Sequence, residues 1–355
     1  MTLATICSGI GAPEVALHGL GWQSLWAAQY DPEHDYSRGP DFPSTILAHR
    51  FPGLHNYGDF TKIPADAASP DVLIGGTPCQ AFSVAGLRGG LADPRGGLTL
   101  AFISLVGVLR PRWIVWENVP GVLSSDGGAA FGSLLSGLAV FGYGWAYRVL
   151  DAQYFGLAQR RKRVFVVAHS GGDWRRAGAV LFEPEGVRWH SPPSRAAEER
   201  TAGQGAGSIG GHGTGACEST VSAGRAGGDL SPTISAKWRK GRGGYAGHNE
   251  TENCVFVGAQ DVAYALAACN ASFKSHGEKQ CNYAISLGSQ PQIRRLTIRE
   301  LERLQGFPDD FTAIPWRGKP VAECPDAPRA KALGNSMAVP VLRWIGRRIE
   351  AVDVL

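Results

Sequence analysis

The sequence predicts an α/β chain, a mostly parallel sheet with helices on both faces, interrupted by a small, irregular, loop-rich insert. Short, wholly apolar strand candidates alternate with stretches of helical spacing through the first half. Much of the chain's glycine (48 of 355 residues) falls between about residues 183 and 290. Helical periodicity then resumes and runs to the last residues.

Leu3–Cys7 is an apolar run that stops at Ser8-Gly9-Ile10-Gly11. Helical spacing follows from Pro13 to Leu20, and proline suits a first helical turn because its missing N–H costs nothing there. Ser24–Ala28 and Val72–Gly75 are further strands, the latter cut off by Gly76-Thr77-Pro78. Leu98–Leu109 and Phe131–Phe141 have helical periodicity, and Trp113–Trp116, Tyr147–Leu150 and Val164–Ala168 read as strands. Thr297, with Glu300 three residues later, forms a capping box for a helix to about Leu304. Met337–Ile349 is the last helix, with Arg347 and Arg348 where cations suit the dipole. These limits predict a first unit over 1–182, an insert over 183–292, and a segment over 293–355 that returns to the first unit.

The length allows a sizeable core. The start lacks a basic stretch leading into an apolar signal core, and no apolar run is long enough to span a bilayer, so the expected place is the cytoplasm. Seven dispersed cysteines, with no CxxC pair, argue for free thiols and no metal site. A net charge of +4 permits a nucleic-acid partner without requiring one.

Three loops have the composition of chemical sites. Ser8-Gly9-Ile10-Gly11 opens onto a helix, as a nucleotide-type cofactor or a plain tight turn would require. Gly75-Gly76-Thr77-Pro78-Cys79-Gln80 puts a cysteine where a parallel strand ends, the edge where α/β folds bind ligands. Cys79 is then a reactive thiol or a small core residue. Glu117 follows the strand Trp113–Trp116 onto the same edge, as a site carboxylate or a solvated loop residue. Gln159-Arg160-Arg161-Lys162-Arg163 leads into a strand, where alternation sends Arg161 and Arg163 to one side.

Taken in order, the GGxPCQ loop, Glu117-Asn118-Val119, and Gln-x-Arg-x-Arg at 159–163 resemble the cytosine-5 DNA methyltransferase family. Arg295-Leu296-Thr297 through Leu304-Gln305-Gly306-Phe307-Pro308, and Gly334-Asn335-Ser336, complete the resemblance. The form ICSGIGAPE is similar to phage and prophage members. The resemblance implies a Rossmann-like class I methyltransferase sheet and the cofactor S-adenosyl-L-methionine. It also implies that the insert is a target-recognition domain acting on double-stranded DNA, in a monomer that pairs with a restriction endonuclease or protects phage DNA.

By that resemblance Cys79 is the nucleophile, Glu117 binds the ring edge of a flipped cytosine, and Arg161 and Arg163 support the reaction. Ser8, Gly9, Ile10, Gly11, Pro78, Asn335 and Ser336 would border the cofactor, with Asp59 and Phe60 at its adenine edge. The chain departs from the family in two places. Cys7 stands where an aromatic residue is usual, and Gln29, followed by Tyr30 and Asp31, stands where an acid binds the ribose; whether Gln29 or Asp31 takes that role is open. Ser83 and Arg95 would enter the DNA helix, Thr233 would lie beside the flipped nucleotide, and Lys237, Arg239, Lys240 and Arg242 would contact phosphates or guanines. The competing readings are a methyltransferase for RNA cytosine and a catalytically silent DNA-binding protein.

Overall fold

The computed structural model of the protein describes residues 1–77, 97–182, 263–264 and 296–354. The first half alternates as expected: β1 (Thr2–Ile6), α1 (Ala12–His18), β2 (Gln23–Ala28), α2 (Phe42–Arg50), β3 (His55–Asn56) and β4 (Val72–Gly75). Then come α3 (Gly97–Leu109), β5 (Trp113–Asn118), α4 (Ala129–Val140), β6 (Gly144–Asp151), β7 (Gln159–Arg160), β8 (Lys162–His169) and α5 (Trp174–Leu181). β9 (Ala263–Tyr264) lies within the insert, and α6 (Ile298–Gln305), α7 (Asp326–Asn335) and α8 (Val339–Asp353) close the described chain.

Seven strands form one sheet in the order β3-β2-β1-β4-β5-β8-β6. The first five are parallel, while β8 runs antiparallel to both β5 and β6. The chain leaves β1 in one direction towards β2 and returns on its other side with β4. That reversal is the switch point at which doubly wound sheets open a crevice. β7 and β9 form a separate two-stranded parallel sheet, which ties the insert to the approach to β8.

Two apolar cores hold the layers together. One face buries Leu3, Ile10, Leu17, Val115, Phe165, Val180, Leu342 and Ile345 beneath α1, α5 and α8. The other buries Ile6, Trp26, Phe102, Trp116, Leu134 and Val166 beneath α3 and α4. Strand residues alternate between these cores because successive side chains point to opposite faces. Polar contacts lock α8 onto the sheet: Trp22 Nε1 donates to Glu350 Oε1 at 2.6 Å and Trp113 Nε1 to Asp353 Oδ1 at 2.8 Å.

Several expected elements differ in extent. β5 continues through Glu117 and Asn118, because β8 pairs Glu117 with Phe165 and Asn118 with Val164. β6 begins at Gly144, three residues before the expected start, paired along its length with β8. The capping box at Thr297 forms in full, with Thr297 Oγ1 accepting from the Glu300 amide and Glu300 accepting from the Thr297 amide. α2, α5 and α7 were not expected. Among the described residues, no helix is long and apolar enough to cross a membrane, and no cluster of His, Cys, Asp or Glu is arranged to hold a metal.

Candidate active site at the carboxyl edge of the sheet

The strand register builds the site. Ala28, Ile6, Gly75 and Trp116 form one row across β2, β1, β4 and β5. The residues that follow them, Gln29, Cys7, Gly76 and Glu117, therefore share the carboxyl edge.

On the β4–β5 side, Glu117 and Arg163 form an ion pair, Oε1 to Nε at 3.2 Å, with both side chains largely shielded from solvent. Burial lowers the Arg163 pKa, and the carboxylates of Glu117 and Asp151 oppose that shift. Glu117 reaches over Gly76, where an added Cβ would lie 2.6 Å from the Glu117 carbonyl oxygen and 3.3 Å from Oε2. Asn118 fixes the loop further: its Nδ2 donates to the Thr77 carbonyl at 3.0 Å, and its Oδ1 accepts from the Val119 amide. Trp116 Nε1 donates to Thr77 Oγ1 at 3.3 Å. The strand ends thus grip the backbone that enters Pro78-Cys79. Pro78, Cys79, Ser83 and Arg95 lie outside the described residues, as do Thr233, Lys237, Arg239, Lys240 and Arg242.

Arg161 occupies a different position from the one strand alternation implied. It falls between β7 and β8, is 3% exposed, and donates through Nη2 to the carbonyls of Ser336 at 2.7 Å and Gly334 at 3.2 Å. Only Arg163 joins Glu117; Arg161 holds the turn between α7 and α8. That turn carries exposed Asn335 and buried Ser336, and it brings Met337 Cε to 3.5 Å from the Cβ position of Gly76.

The β1–β2 side carries the glycine loop that borders the crevice of the switch point. Gly9 has φ +57, and a Cβ there would meet nothing within 4 Å, leaving room for a ligand against the backbone. Ile10 is fully buried, and Gly11 caps α1 in the left-handed region. Ser8 Oγ lies 2.7 Å from Thr5 Oγ1, which donates to Glu14 Oε1 at 2.7 Å. Glu14 is 1% exposed, its Oε2 has no hydrogen-bond partner, and burial pushes its pKa to about 7. Cys7 has φ +47; burial, with Asp59 nearby, raises its thiol to about 12. Asp59 caps the turn containing buried Phe60, accepting from Thr61.

Gln29 is nearly buried and held on both sides. Its Oε1 accepts from the Gly9 amide at 2.8 Å, and its Nε2 donates to Asp41 Oδ2 at 3.2 Å. Tyr30 stacks on Tyr36, with ring centroids 5.1 Å apart. Asp31 pairs with Lys331 of α7 at 3.4 Å. An open cradle at Gly9, a carboxamide at the end of β2 and a half-buried Asp59 fit an adenosyl group with its ribose and base edge.

The sequence model of the C-5 cytosine-specific DNA methylase family matches residues 1–204 and 210–351. The chain belongs to that family. Curated relatives include a DNA N-6-adenine-methyltransferase of Escherichia phage P1, 34% identical over 97% of this chain. They also include the type II methyltransferases M2.BsuMI of Bacillus subtilis and M.NgoBI of Neisseria gonorrhoeae, 29% and 28% identical over 99% and 94% of the chain. The chain spans 60% of the phage P1 protein's length, and 75% and 88% of the other two. Among solved structures, the Dnmt2 methyltransferase of S. pombe has the same fold, with a TM-score of 0.64 at 16% identity over 99% of both chains.

Within this methylase, three residues of the site were not singled out in the sequence. Asn118 was visible only as part of a motif. Glu14 and Asp41 carried a weak signal, an acid in an otherwise apolar helix turn and an acid ahead of Phe-Pro, and their partners became visible only in three dimensions.

Proposed function

We propose that this methylase transfers a methyl group to carbon 5 of a flipped cytosine in double-stranded DNA, with Cys79 as the nucleophile. The observation that carries this reading is the Glu117–Arg163 pair over Gly76, at the mouth of the loop that leads into Cys79. S-adenosyl-L-methionine, when bound, supplies an electrophilic methyl group. The Cys79 thiolate adds to carbon 6 of the base, which breaks aromaticity and makes carbon 5 nucleophilic. Glu117 holds a proton at ring nitrogen 3 as electron density moves there, and Arg163 orients Glu117 while facing the base oxygen. After transfer, which would leave S-adenosylhomocysteine, carbon 5 gives its proton to solvent water, the bond from carbon 6 to the Cys79 sulfur breaks, and the thiolate leaves.

Ser8, Gly9, Ile10, Gly11, Asp59, Phe60, Pro78, Asn335 and Ser336 would border the cofactor. Residues 183–292 would read the target with Thr233, Lys237, Arg239, Lys240 and Arg242, while Ser83 and Arg95 enter the helix. Residues 1–182 and 293–355 together form the catalytic unit, acting in the cytoplasm as a monomer, in restriction-modification or phage DNA protection. The phage P1 relative is named for adenine methylation, so the assay must read both bases. Labelled S-adenosylmethionine and cytosine-rich duplexes should yield 5-methylcytosine, and 5-fluorocytosine duplexes should trap a covalent complex that Cys79→Ser abolishes. Label found only as N6-methyladenine, or trapping that survives Cys79→Ser, would overturn the proposal.

A further inference from the structure

Doubly wound nucleotide sites place an acid about 20 residues beyond the glycine loop, where it accepts the ribose hydroxyls. Here that position is Gln29, a neutral side chain, yet a carboxylate lies directly behind it. Asp41 is 2% exposed at the N-cap of α2, where Oδ1 accepts from the Ser44 amide at 2.7 Å. Its Oδ2 accepts from Gln29 Nε2 and, at 3.1 Å, from the Tyr36 hydroxyl. The Gln29 backbone is fixed independently, its amide donating to Asn56 Oδ1 at 2.8 Å and its carbonyl accepting from Ser44 Oγ at 3.3 Å. The carboxamide therefore has one orientation, with its oxygen on the glycine loop and its nitrogen on the buried acid. Asp31, two residues further along the chain, is engaged by Lys331.

We propose that Gln29 and Asp41 together replace the single ribose-binding acid. Gln29 receives the ribose hydroxyls of the adenosyl cofactor, and the buried Asp41 carboxylate orients and polarises it from behind. Each carboxamide atom keeps one hydrogen-bonding position beyond the bond described, enough for a hydroxyl that donates to Oε1 or accepts from Nε2. The site holds one negative charge, as the single-acid arrangement does, but sets it one residue deeper. This inference rests on the proposed use of an adenosyl cofactor.

The pairing predicts the effect of restoring an acid at position 29. Gln29→Glu sets two carboxylates at the 3.2 Å contact, so they repel or must share a proton. Asp41→Asn removes the charge while keeping a competent N-cap. The double variant Gln29→Glu with Asp41→Asn reverses the donor and acceptor of that bond and restores a single charge.

The test is calorimetric titration of the full chain with S-adenosylmethionine and S-adenosylhomocysteine, alongside thermal melts without ligand. Each single variant should bind about tenfold or more weakly, and the double variant should return to within about threefold of the parent. Coupling of this kind distinguishes a paired site from two independent losses. If Gln29→Glu binds as well as the parent, or the double variant is as weak as the product of the singles, the pairing is wrong. If Asp31→Asn alone removes binding, the ribose acid is Asp31. If the parent binds neither compound while folded, the adenosyl reading itself fails, separately from the pairing.

Discussion

Glu14→Gln should change the pH dependence of folding by an amount readable from the structure. The Glu14 carboxyl is buried and carries a pKa of about 7 against an ordinary value of 4.5. Between those values the folded chain keeps a proton that the unfolded chain has lost. Stability therefore falls as pH rises through this window, and is flat for this group above about pH 7. The full difference is about 3 kcal/mol, from roughly 1.4 kcal/mol per pKa unit. Glutamine keeps an oxygen for the Thr5 hydroxyl and does not titrate. Urea unfolding of parent and variant, followed by tryptophan fluorescence from pH 5 to pH 8, isolates the effect because all other groups cancel in the difference. The variant should gain about 3 kcal/mol on the parent across that range. A difference that stays constant with pH would refute the reasoning, because the carboxyl would then titrate alike in both states.

Arg161→Ala should cost about 3 kcal/mol of stability, since the buried carbonyls of Gly334 and Ser336 lose a charged donor; denaturant midpoints measure this. Cofactor affinity should fall with it, and Arg161→Lys should rescue only part because a lysine lacks the planar fork. Arg163→Ala should leave cofactor binding within about threefold while lowering single-turnover methylation about a hundredfold or more, a split that titration and rapid quench resolve. Gly76→Ala should fold yet lose most methylation, because the new Cβ meets backbone at Glu117 and backbone cannot step aside as a flexible side chain can; near-ultraviolet circular dichroism and the transfer assay separate the two.

Most of the sheet was legible because its strands are short, apolar and bounded by glycine or proline. Val72–Gly75 matches the expectation residue for residue, and Thr297–Glu300 forms the expected cap. Two of the unexpected helices carry start signals, Asp41 with Pro43 for α2 and Asp173 for α5, but both are under ten residues long, too short for a sustained helical period; α7 contains Pro328 and Gly334. β5 ran past its apolar core because strand pairing, rather than composition, decides where Glu117 sits. The two arginines 161 and 163 are chemically alike in the sequence. They part company because one meets carbonyls more than 170 residues away and the other meets Glu117. Gln29 likewise looked like a departure from an acidic position until Asp41 was found behind it.

The closure of α8 over α1 also sets an order of events during synthesis. Trp22 and Glu350 are separated by 328 residues, which a ribosome adding roughly 5–20 residues per second takes on the order of half a minute to traverse. Until then Leu17 on α1 lacks its cover from α8, and this face of the nascent sheet has only α1 and α5 over it. Contacts of such long sequence separation form late and slowly. The newborn chain therefore completes this core last, and raising chaperone supply during expression should raise its folded yield.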